Sequence, residues 1–214
     1  MQSITLERML PEVFVSEKIP DSDVWLTNLT FERGKSYLVV AASGAGKSSM
    51  CAYIYGARTD YEGKLTFDGK DVSAFGMDHW LELRRRNLAY LPQELSLFPE
   101  LTAMQNIRLK NSLTGHIEEE RIEEWLHLLG IDSRKDYPVG KMSIGQQQRV
   151  GIIRALCQPF DFILLDEPVS HLDEENNLKA AGIIEEEARR QSAGIISTSV
   201  GNPLLLKESI KLRL

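Results

Sequence analysis

The sequence predicts an α/β fold, because short apolar runs typical of strands alternate with longer segments of helical periodicity. One run, residues 37–42, is followed at once by Ser43-Gly44-Ala45-Gly46-Lys47-Ser48-Ser49 and then by a helix-compatible stretch through Tyr55. Another apolar run, residues 162–165, ends in Asp166-Glu167-Pro168. These observations indicate a strand, glycine loop and helix, together with a buried strand that ends in acids.

The remaining elements follow from shorter patterns. Strand-like residues 64–67 and 88–91, with the turn pair Asp68-Gly69 between them, predict antiparallel β structure beside the glycine loop. A polar helix is expected over residues 173–191. Two further strands are expected over residues 194–198 and 210–214.

Residues 93–142 differ in character and predict a small helical lobe. Apolar side chains recur there at helical spacing, and Gly130 stands where a helix would end. The apolar residues in question are Ile122, Trp125, Leu126 and Leu129.

Composition and charge exclude several classes of protein. The 214 residues include no run near the roughly 18 apolar residues of a membrane span, and residues 1–10 lack the order of a secretory signal, which predicts a cytosolic location. The formal charge of -6 argues against a whole-surface grip on nucleic acid, although Arg84-Arg85-Arg86 leaves a local basic patch open. Cys51 and Cys157 are too few for a disulfide framework and are expected to be buried free thiols.

The glycine-rich segment has the composition of a phosphate-binding loop. Gly44 and Gly46 let the backbone approach phosphate oxygens, which successive N–H groups and the start of the next helix then bind. Lys47 is placed to reach the β- and γ-phosphates, and the Ser48 hydroxyl to coordinate magnesium. Ala41 stands where G-x-x-x-x-G-K-[ST] has its first glycine, so the loop must absorb one methyl group. A glycine-rich turn with an incidental lysine is the alternative interpretation.

Two acids follow the apolar run 162–165, which lies in a strand expected over residues 160–165. A buried strand delivers the residues at its carboxyl end to the edge of an open α/β sheet, where nucleotides bind. Asp166 is therefore predicted to hold magnesium through water, and Glu167 to face the γ-phosphate as general base. A capped surface strand is the alternative, which the fully apolar run disfavours.

A third motif is Met142-Ser143-Ile144-Gly145-Gln146-Gln147-Gln148-Arg149-Val150. It resembles the signature of the ATP-binding cassette ATPases, usually L-S-G-G-Q followed by Q-x-R. Ser143 is a good helix N-cap and Gly145 leaves its N–H accessible, so this helix start is predicted to bind an anion.

Two smaller motifs strengthen the resemblance. Tyr90-Leu91-Pro92-Gln93 resembles the family's glutamine loop, and Ser170-His171-Leu172-Asp173 resembles its S-A-L-D loop. Taken singly, Gln93 is compatible with any loop, and residues 170–173 with a simple helix cap. Their order and spacing extend the resemblance from about Leu26 to Leu214.

The resemblance implies one nucleotide-binding domain over residues 1–214. Residues 1–92 and 143–214 form a P-loop ATPase core with an antiparallel β subdomain, and residues 93–142 form a helical subdomain. It also implies ATP and Mg²⁺ as ligands and a head-to-tail homodimer that encloses two ATPs. It further implies a separate integral membrane permease that docks at the groove near Gln93, and hence a peripheral location on the cytoplasmic face of the inner membrane.

The motifs and the resemblance together assign roles to individual residues. The catalytic residues are Glu167, Lys47, Gln93 and Ser199. The nucleotide contacts are Ala42, Ser43, Gly44, Ala45, Gly46, Lys47, Ser48, Ser49, Ser143, Gly145, Gln146 and Asp173, and the metal contacts are Ser48, Gln93 and Asp166.

Three departures from the family's pattern bear on activity. Ser199 occupies the place where the family usually has a histidine that senses the γ-phosphate, so hydrolysis is expected to be slow or to depend on a partner. Ile144 replaces the first signature glycine. Phe14 and Trp25 are candidates for the aromatic that stacks on adenine, but neither has the family's usual spacing and both are interpreted as core residues.

Several more specific functions remain compatible with the sequence. Residues 98–107 resemble the lipoprotein-release and macrolide-efflux branch of the family. A mechanical or regulatory ATPase of the cell-division type, with a membrane-bound partner, is one alternative. A soluble nucleic-acid-maintenance ATPase is the other, and it is disfavoured because the sequence has neither a coiled-coil insertion nor zinc modules. Nucleic acid is therefore not the expected partner.

Overall fold

A computed structural model describes residues 1–16 and 21–214 of the chain. These residues form a four-stranded antiparallel sheet, a five-stranded parallel sheet and six α-helices, which confirms the predicted α/β class. The strands are β1 (Ser3–Pro11), β2 (Asn28–Glu32), β3 (Ser36–Val40), β4 (Tyr61–Phe67), β5 (Lys70–Asp71), β6 (Leu88–Leu91), β7 (Phe162–Asp166), β8 (Gly194–Ser199) and β9 (Ile210–Arg213). The helices are α1 (Lys47–Ile54), α2 (Met77–Arg86), α3 (Ala103–Asn111), α4 (Glu119–Leu128), α5 (Ile144–Leu156) and α6 (Glu174–Arg190).

The parallel sheet has the strand order β6-β7-β8-β3-β9. All five residues of β7 are buried, and the four apolar ones alternate between two apolar cores on opposite faces of the sheet. Phe162 and Leu164 pack with α1, whereas Ile163 and Leu165 pack with α5 and α6. A strand covered on both faces needs apolar residues at every position, which explains the continuous run in the sequence.

The strand over residues 88–91 does not belong to the antiparallel sheet, so this part of the prediction is wrong. It is β6, and it pairs in parallel with β7 from Leu88 opposite Phe162 to Leu91 opposite Leu165. A short apolar run carries no information about the direction of its neighbour, and here that neighbour lies far along the chain.

The antiparallel sheet has the strand order β2-β1-β4-β5. Residues 64–67 lie in β4, as predicted, and a hairpin turn follows at Asp68 (φ 50°) and Gly69 (φ 75°). Positive φ at both central residues is what a tight two-residue hairpin requires. This sheet covers α1, whose Met50 and Ile54 share one core with residues of both sheets.

The predicted helical lobe is present as α3 and α4, which lie against α5. Ile122, Trp125, Leu126 and Leu129 are buried, and each aliphatic side chain among them contributes about 1.5–3 kcal/mol through burial. Gly130 (φ 64°) takes the left-handed conformation just beyond α4 and ends it, as predicted. The division at residues 93 and 142 stays a prediction.

Two expectations about membranes and thiols can be compared with the structure. None of the helices in the described residues combines the length and the apolar character that a membrane crossing demands. Cys51 and Cys157 are free and buried, as predicted, and burial raises the pKa of both thiols. Both cysteines therefore stay protonated and act as small apolar side chains.

Candidate functional site

The carboxyl ends of four parallel strands bring the predicted site residues to one edge of the sheet. Asp166 ends β7 and Glu167 follows it, Ser199 ends β8, the glycine-rich loop follows β3, and Gln93 lies two residues beyond β6. The strands are in register at this edge, since Asp166 pairs with Thr198. Open α/β sheets bind their ligands at this edge.

The glycine-rich loop leaves β3 one residue before Ala41 and enters α1 at Lys47. Gly44 (φ 82°) and Gly46 (φ 95°) have the left-handed conformation that L side chains rarely adopt. Ala41 is not among the residues with positive φ, so its extra methyl group is absorbed without backbone strain. Among the described residues, the N–H groups of Gly44, Gly46 and Lys47 donate no hydrogen bond to the chain, which leaves them for an anion.

The Lys47 side chain is folded into this loop and is only 4% exposed. Its Nζ donates to the carbonyl oxygens of Ala41 (3.3 Å) and Ala42 (2.8 Å) and lies 3.8 Å from Glu167 Oε1. The ammonium group thus lies between the loop and the acid at the end of β7. Phosphate oxygens are stronger acceptors for a cation than these neutral carbonyls.

Two aromatic rings support the loop from outside. Trp25 is buried, as predicted, and its Nε1 donates to Ala45 O at 3.1 Å. A Cβ atom at Gly46 would meet Phe14 Cε2 at 3.0 Å and Trp25 Cζ2 at 3.1 Å. Phe14 itself is half-buried and packs against the margin of the core, so its interpretation as a core residue is only partly correct. The segment around Phe14 reaches the loop through tertiary packing, which the spacing along the chain did not reveal.

Asp166 presents one oxygen that has no partner. Its Oδ1 accepts a hydrogen bond from Thr198 Oγ1 at 2.7 Å, whereas Oδ2 is buried and has no hydrogen-bond partner among the described residues. A buried carboxylate oxygen without a donor is costly unless a cation or its water satisfies it. The donor set fits Mg²⁺, because Asp166 and the exposed Ser48 hydroxyl are hard oxygen ligands.

Glu167 is fixed through its backbone and leaves its carboxylate free to act. It adopts φ 52°, its N–H donates to Thr198 Oγ1 at 3.1 Å, and its carbonyl accepts from Gln148 Nε2 at 3.1 Å. Its side chain is 15% exposed. A positive φ in a non-glycine residue costs about 1–3 kcal/mol and persists only where surrounding contacts impose it.

The signature motif forms the start of α5. Ser143 is the N-cap: its hydroxyl accepts from Gln146 N at 3.3 Å, and Gln146 Oε1 accepts from Ser143 N at 3.0 Å. The predicted cap is confirmed, and the Gln146 side chain is used within it. A Cβ at Gly145 would come within 2.9 Å of His171 O, so glycine is needed there for close backbone approach.

Gln148 connects the signature helix with the acid at the end of β7, and its role was missed from the sequence. Its Nε2 donates to Ser170 Oγ at 3.1 Å as well as to the Glu167 carbonyl, and its Oε1 accepts from His171 N at 3.0 Å. The side chain is 3% exposed. A glutamine within a run of three carries no signal that distinguishes it from its neighbours, and only the packing of α5 against residues 167–171 assigns the contacts.

Three predicted ligand residues are engaged in structural contacts or lie at the rim. Asp173 caps α6 by accepting from Asn176 N at 2.8 Å, and the hydrogen bonds from Asn176 hold its pKa below the usual value. The Ser49 hydroxyl accepts from Arg58 Nη1 at 3.0 Å. Gln93 is exposed, and its side chain forms no hydrogen bond within the described part of the chain.

A family model described as ABC transporter matches residues 26–170, which is more than half of the chain. The chain belongs to the ABC transporter family. It is 31% identical over 191 residues to the uncharacterized ABC transporter ATP-binding protein YclH of Bacillus subtilis, covering 87% of this chain and 83% of YclH. It is 33% identical over 162 residues to the macrolide export ATP-binding/permease protein MacB of a Shewanella species, covering 74% of this chain but only 25% of that protein.

The fold supports the same conclusion. The bacterial ABC transporter cassette MJ0796, solved as a dimer, superimposes with a TM-score of 0.75 and 26% sequence identity, covering 91% of this chain and 87% of that chain. The family resemblance, the fold class and the ATP-binding role predicted from the sequence are therefore confirmed. The chain is an ATP-binding subunit of the ABC transporter type.

Two departures of this ABC cassette can now be placed. Ile144 is the first residue of α5 and is 51% exposed, so the added side chain projects outward. Ser199 is the last residue of β8, within the strand rather than after it, and is 2% exposed. Its carbonyl accepts from Ala41 N at 3.2 Å.

Replacing Thr198 by valine is expected to lower the free energy of unfolding by about 1–3 kcal/mol. The change removes the only hydrogen-bond donor to the buried Asp166 carboxylate among the described residues. It also removes the acceptor of the Glu167 N–H. Denaturant unfolding measures the change. Thr30 is the matched control, since its hydroxyl pairs with that of Thr5 on an exposed face and its replacement by valine should cost less than about 0.5 kcal/mol. Equal effects of the two substitutions would contradict the prediction.

Proposed function

We propose that this chain binds Mg²⁺-ATP at the carboxyl edge of its parallel sheet, closes as a head-to-tail homodimer around two nucleotides, and uses hydrolysis to drive a separate integral membrane permease. The observation that carries the proposal is the 3.8 Å approach of Glu167 Oε1 to Lys47 Nζ at the glycine loop. This contact brings a base and a phosphate-binding cation together where the nucleotide's terminal phosphate would lie.

The site residues divide the work of hydrolysis. Lys47 gives up its hydrogen bonds to the loop carbonyls and binds the β- and γ-phosphates. Glu167 takes a proton from the attacking water. Gln93, beyond β6, orients that water, and together with Ser48 and Asp166 it would hold Mg²⁺. Mg²⁺, when bound, neutralises the charge that develops on the phosphate oxygens. Since position 199 supplies no imidazole from the same chain, we expect hydrolysis to be slow unless a partner closes the dimer.

The dimer completes each site from the second copy. The start of α5 offers the N–H groups of Ile144 and Gly145 to an anion, aided by the positive end of the helix dipole. The Ser143 hydroxyl, which holds the cap within one chain, contacts the γ-phosphate bound by Lys47 of the other copy. Light scattering with and without Mg²⁺-ATP tests this step, and a chain that stays monomeric with the nucleotide bound would contradict it.

Phe14 is the better of the two candidates for the adenine contact. Trp25 is buried and its indole N–H is already used on Ala45 O. Phe14 is half-buried and lies beside Gly46, so part of its ring remains available for stacking.

A groove between the ATPase core and the helical lobe is suited to the membrane partner. A cavity of about 290 Å³ opens there between β6, α3 and α5, and its lining includes Tyr55, Tyr90, Lys110 and Arg154. It begins at Pro92, next to Gln93, so a segment bound in the groove would touch the loop that reaches the nucleotide site.

The charge of the groove indicates what that segment contains. Lys110 and Arg154 have no ion-pair partner among residues 1–16 and 21–214. The Arg154 Nη1 donates to Ser96 O at 2.6 Å, whereas its Nε is buried without an acceptor in those residues. Burial, together with Arg154, lowers the pKa of Lys110. A carboxylate on the partner would satisfy both cations, and the exposed Leu109 and Leu113 on α3 and just beyond it offer apolar contact to its neighbours.

Replacing Lys110 by glutamate is expected to weaken retention of the membrane partner by about tenfold or more, since a carboxylate would then face a carboxylate. The measurement is co-purification of the full chain with an integral membrane protein from detergent-solubilised membranes. Lys211→Glu is the control, because it makes the same charge change on exposed β9. Equal retention of the two variants would refute docking in this groove.

The alternatives keep distinct tests. A cell-division type regulator would retain a membrane partner but show no transport in vesicles. A nucleic-acid partner is less well supported by the structure than by the sequence, because Arg84 and Arg85 donate to the carbonyls of Tyr55 and Leu113, and Arg86 pairs with Glu82. A salt-sensitive DNA-binding assay that gave a positive result would restore that alternative.

A further inference from the structure

We propose that His171 supplies, across the dimer interface, the imidazole that the chain lacks at position 199. This inference rests on the proposed head-to-tail dimer and assigns one further residue to its nucleotide site. It concerns a side chain that stands outside the acids and the glycine loop already described.

The backbone that carries His171 is held in place from two sides. Its N–H donates to Gln148 Oε1 at 3.0 Å, and the preceding Ser170 N–H donates to the Glu167 carbonyl at 3.4 Å. Asn202 Nδ2 donates to the carbonyls of Val169 and Leu172 at 2.8 Å and 3.1 Å. These hydrogen bonds fix the backbone of the loop, and the His171 side chain on it is exposed.

His171 lies directly beside the start of the signature helix. A Cβ atom at Gly145 would lie 2.9 Å from His171 O, so the backbones of the two residues are in contact. In the proposed dimer the start of α5 faces the γ-phosphate bound by the other copy. The His171 side chain therefore lies at the rim of the other copy's nucleotide site. It acts on the phosphate bound by Lys47 of that copy and not on the phosphate bound by Lys47 of its own chain.

The hydrogen bonds of the loop leave one imidazole nitrogen available. A backbone N–H only donates, so the Gln148 atom that faces His171 N is its oxygen, and the Gln148 amide nitrogen donates to Ser170 Oγ. The Ser170 hydroxyl then has its proton free to donate to His171 Nδ1, 3.0 Å away. This arrangement places the imidazole proton on Nε2, which has no hydrogen-bond partner among the described residues and can donate to a phosphate oxygen.

The other three histidines of the chain are committed elsewhere. His79 stacks on Phe75 with ring centroids 4.2 Å apart, His116 lies between Glu187 and Arg190, and His127 lies 3.6 Å from Asp132. Ser199 is nearly buried and carries no charge. Of the four histidines, His171 alone adjoins the signature and the acids of the site.

The test compares the steady-state ATPase rates of full-length chains. His171→Ala is expected to lower kcat by about 10²-fold, the usual effect of losing one donor to the transition state, with the KM for ATP nearly unchanged. Adding Ser199→His to that variant is expected to restore most of the loss, because it returns an imidazole to the same phosphate from the other side. If His171 had only a structural role, a histidine at position 199 would not restore the rate. An unchanged kcat in His171→Ala, or no rescue by the second substitution, would overturn the proposal.

Mixed dimers test whether the histidine acts across the interface. In one mixture, Lys47→Met chains are combined with His171→Ala chains, so the intact glycine loop faces an intact His171 on the other copy. In the second, Lys47→Met/His171→Ala chains are combined with His171→Ala chains, so no dimer in that mixture has an intact loop that faces a His171. The first mixture is expected to be the faster one. Equal rates, or a faster second mixture, would overturn the assignment across the interface.

A separate measurement distinguishes failure of this inference from failure of the proposed function. The Glu167→Gln chain, with and without His171→Ala, is examined by light scattering with Mg²⁺-ATP. Dimerisation of both variants together with a normal rate in His171→Ala overturns only the role of His171. Absence of dimerisation in Glu167→Gln itself overturns the proposed function and His171 with it.

Discussion

Replacing Glu167 by glutamine is expected to lower ATP turnover by about 10²- to 10⁴-fold while ATP binding persists. The amide cannot accept the proton of the attacking water. Its position should not change, because Glu167 is held through its backbone N–H and carbonyl, by Thr198 Oγ1 and Gln148 Nε2. Since bound ATP then survives, the closed dimer should accumulate. Phosphate release measures the rate, and light scattering measures the dimer.

Glu208 provides the matched control for this substitution. It is exposed in the loop before β9, at the opposite edge of the parallel sheet from the acids. Glu208→Gln makes the same chemical change and should leave turnover as it is. Undiminished hydrolysis in Glu167→Gln would refute the assignment of the general base.

Replacing Lys47 by methionine is expected to weaken ATP binding by about 10- to 150-fold, which corresponds to about 1.5–3 kcal/mol for hydrogen bonds made by a charged group. The ammonium is the cation inside the glycine loop, and methionine fills a similar volume without a donor. The fold should be retained, because in the described part of the chain Nζ hydrogen-bonds only to the loop carbonyls of Ala41 and Ala42. Titration with a fluorescent ATP analogue measures the affinity, and thermal unfolding measures the fold.

Lys179→Met is the control for the loss of a lysine. Its Nζ pairs with Glu175 one turn away on the exposed face of α6, where an ion pair contributes little to stability. Its replacement should leave nucleotide affinity unchanged. Equal affinity in Lys47→Met and Lys179→Met would sink the proposal that the glycine loop binds phosphate.

The sequence predicted best those features whose geometry is local. The Ser143 cap depends on the residue three positions later, and the turn at Asp68-Gly69 depends on two adjacent residues that adopt positive φ. The same is true of the end of α4 at Gly130. In each case the residue type carries the backbone preference itself, so one sequence is enough to predict the structure.

Predictions that depended on distant pairing were weaker. The prediction for residues 88–91 names the wrong sheet. Their neighbour is β7, far along the chain, and the parallel direction of that pair depends on the crossover between the two strands. Phe14 was interpreted as core, although packing places its half-buried ring beside Gly46. Asp173 and Ser49 belong to motifs, yet their side chains are bound to Asn176 and Arg58. Motif spacing does not show which hydrogen bond a side chain makes.

By itself, the sequence determined that this protein has a glycine-rich loop between a strand and a helix, a buried strand ending in two acids and a capped signature helix, since each is a short pattern with its own backbone preferences. Only the tertiary structure decided how these pieces meet. It places Lys47 Nζ 3.8 Å from Glu167 Oε1, and it joins Glu167 to the signature helix through a hydrogen bond from Gln148. It also brings the backbone of His171 into contact with Gly145. Those contacts join segments far apart in the chain, and they form because the strand order of the parallel sheet and the packing of α5 bring the segments together.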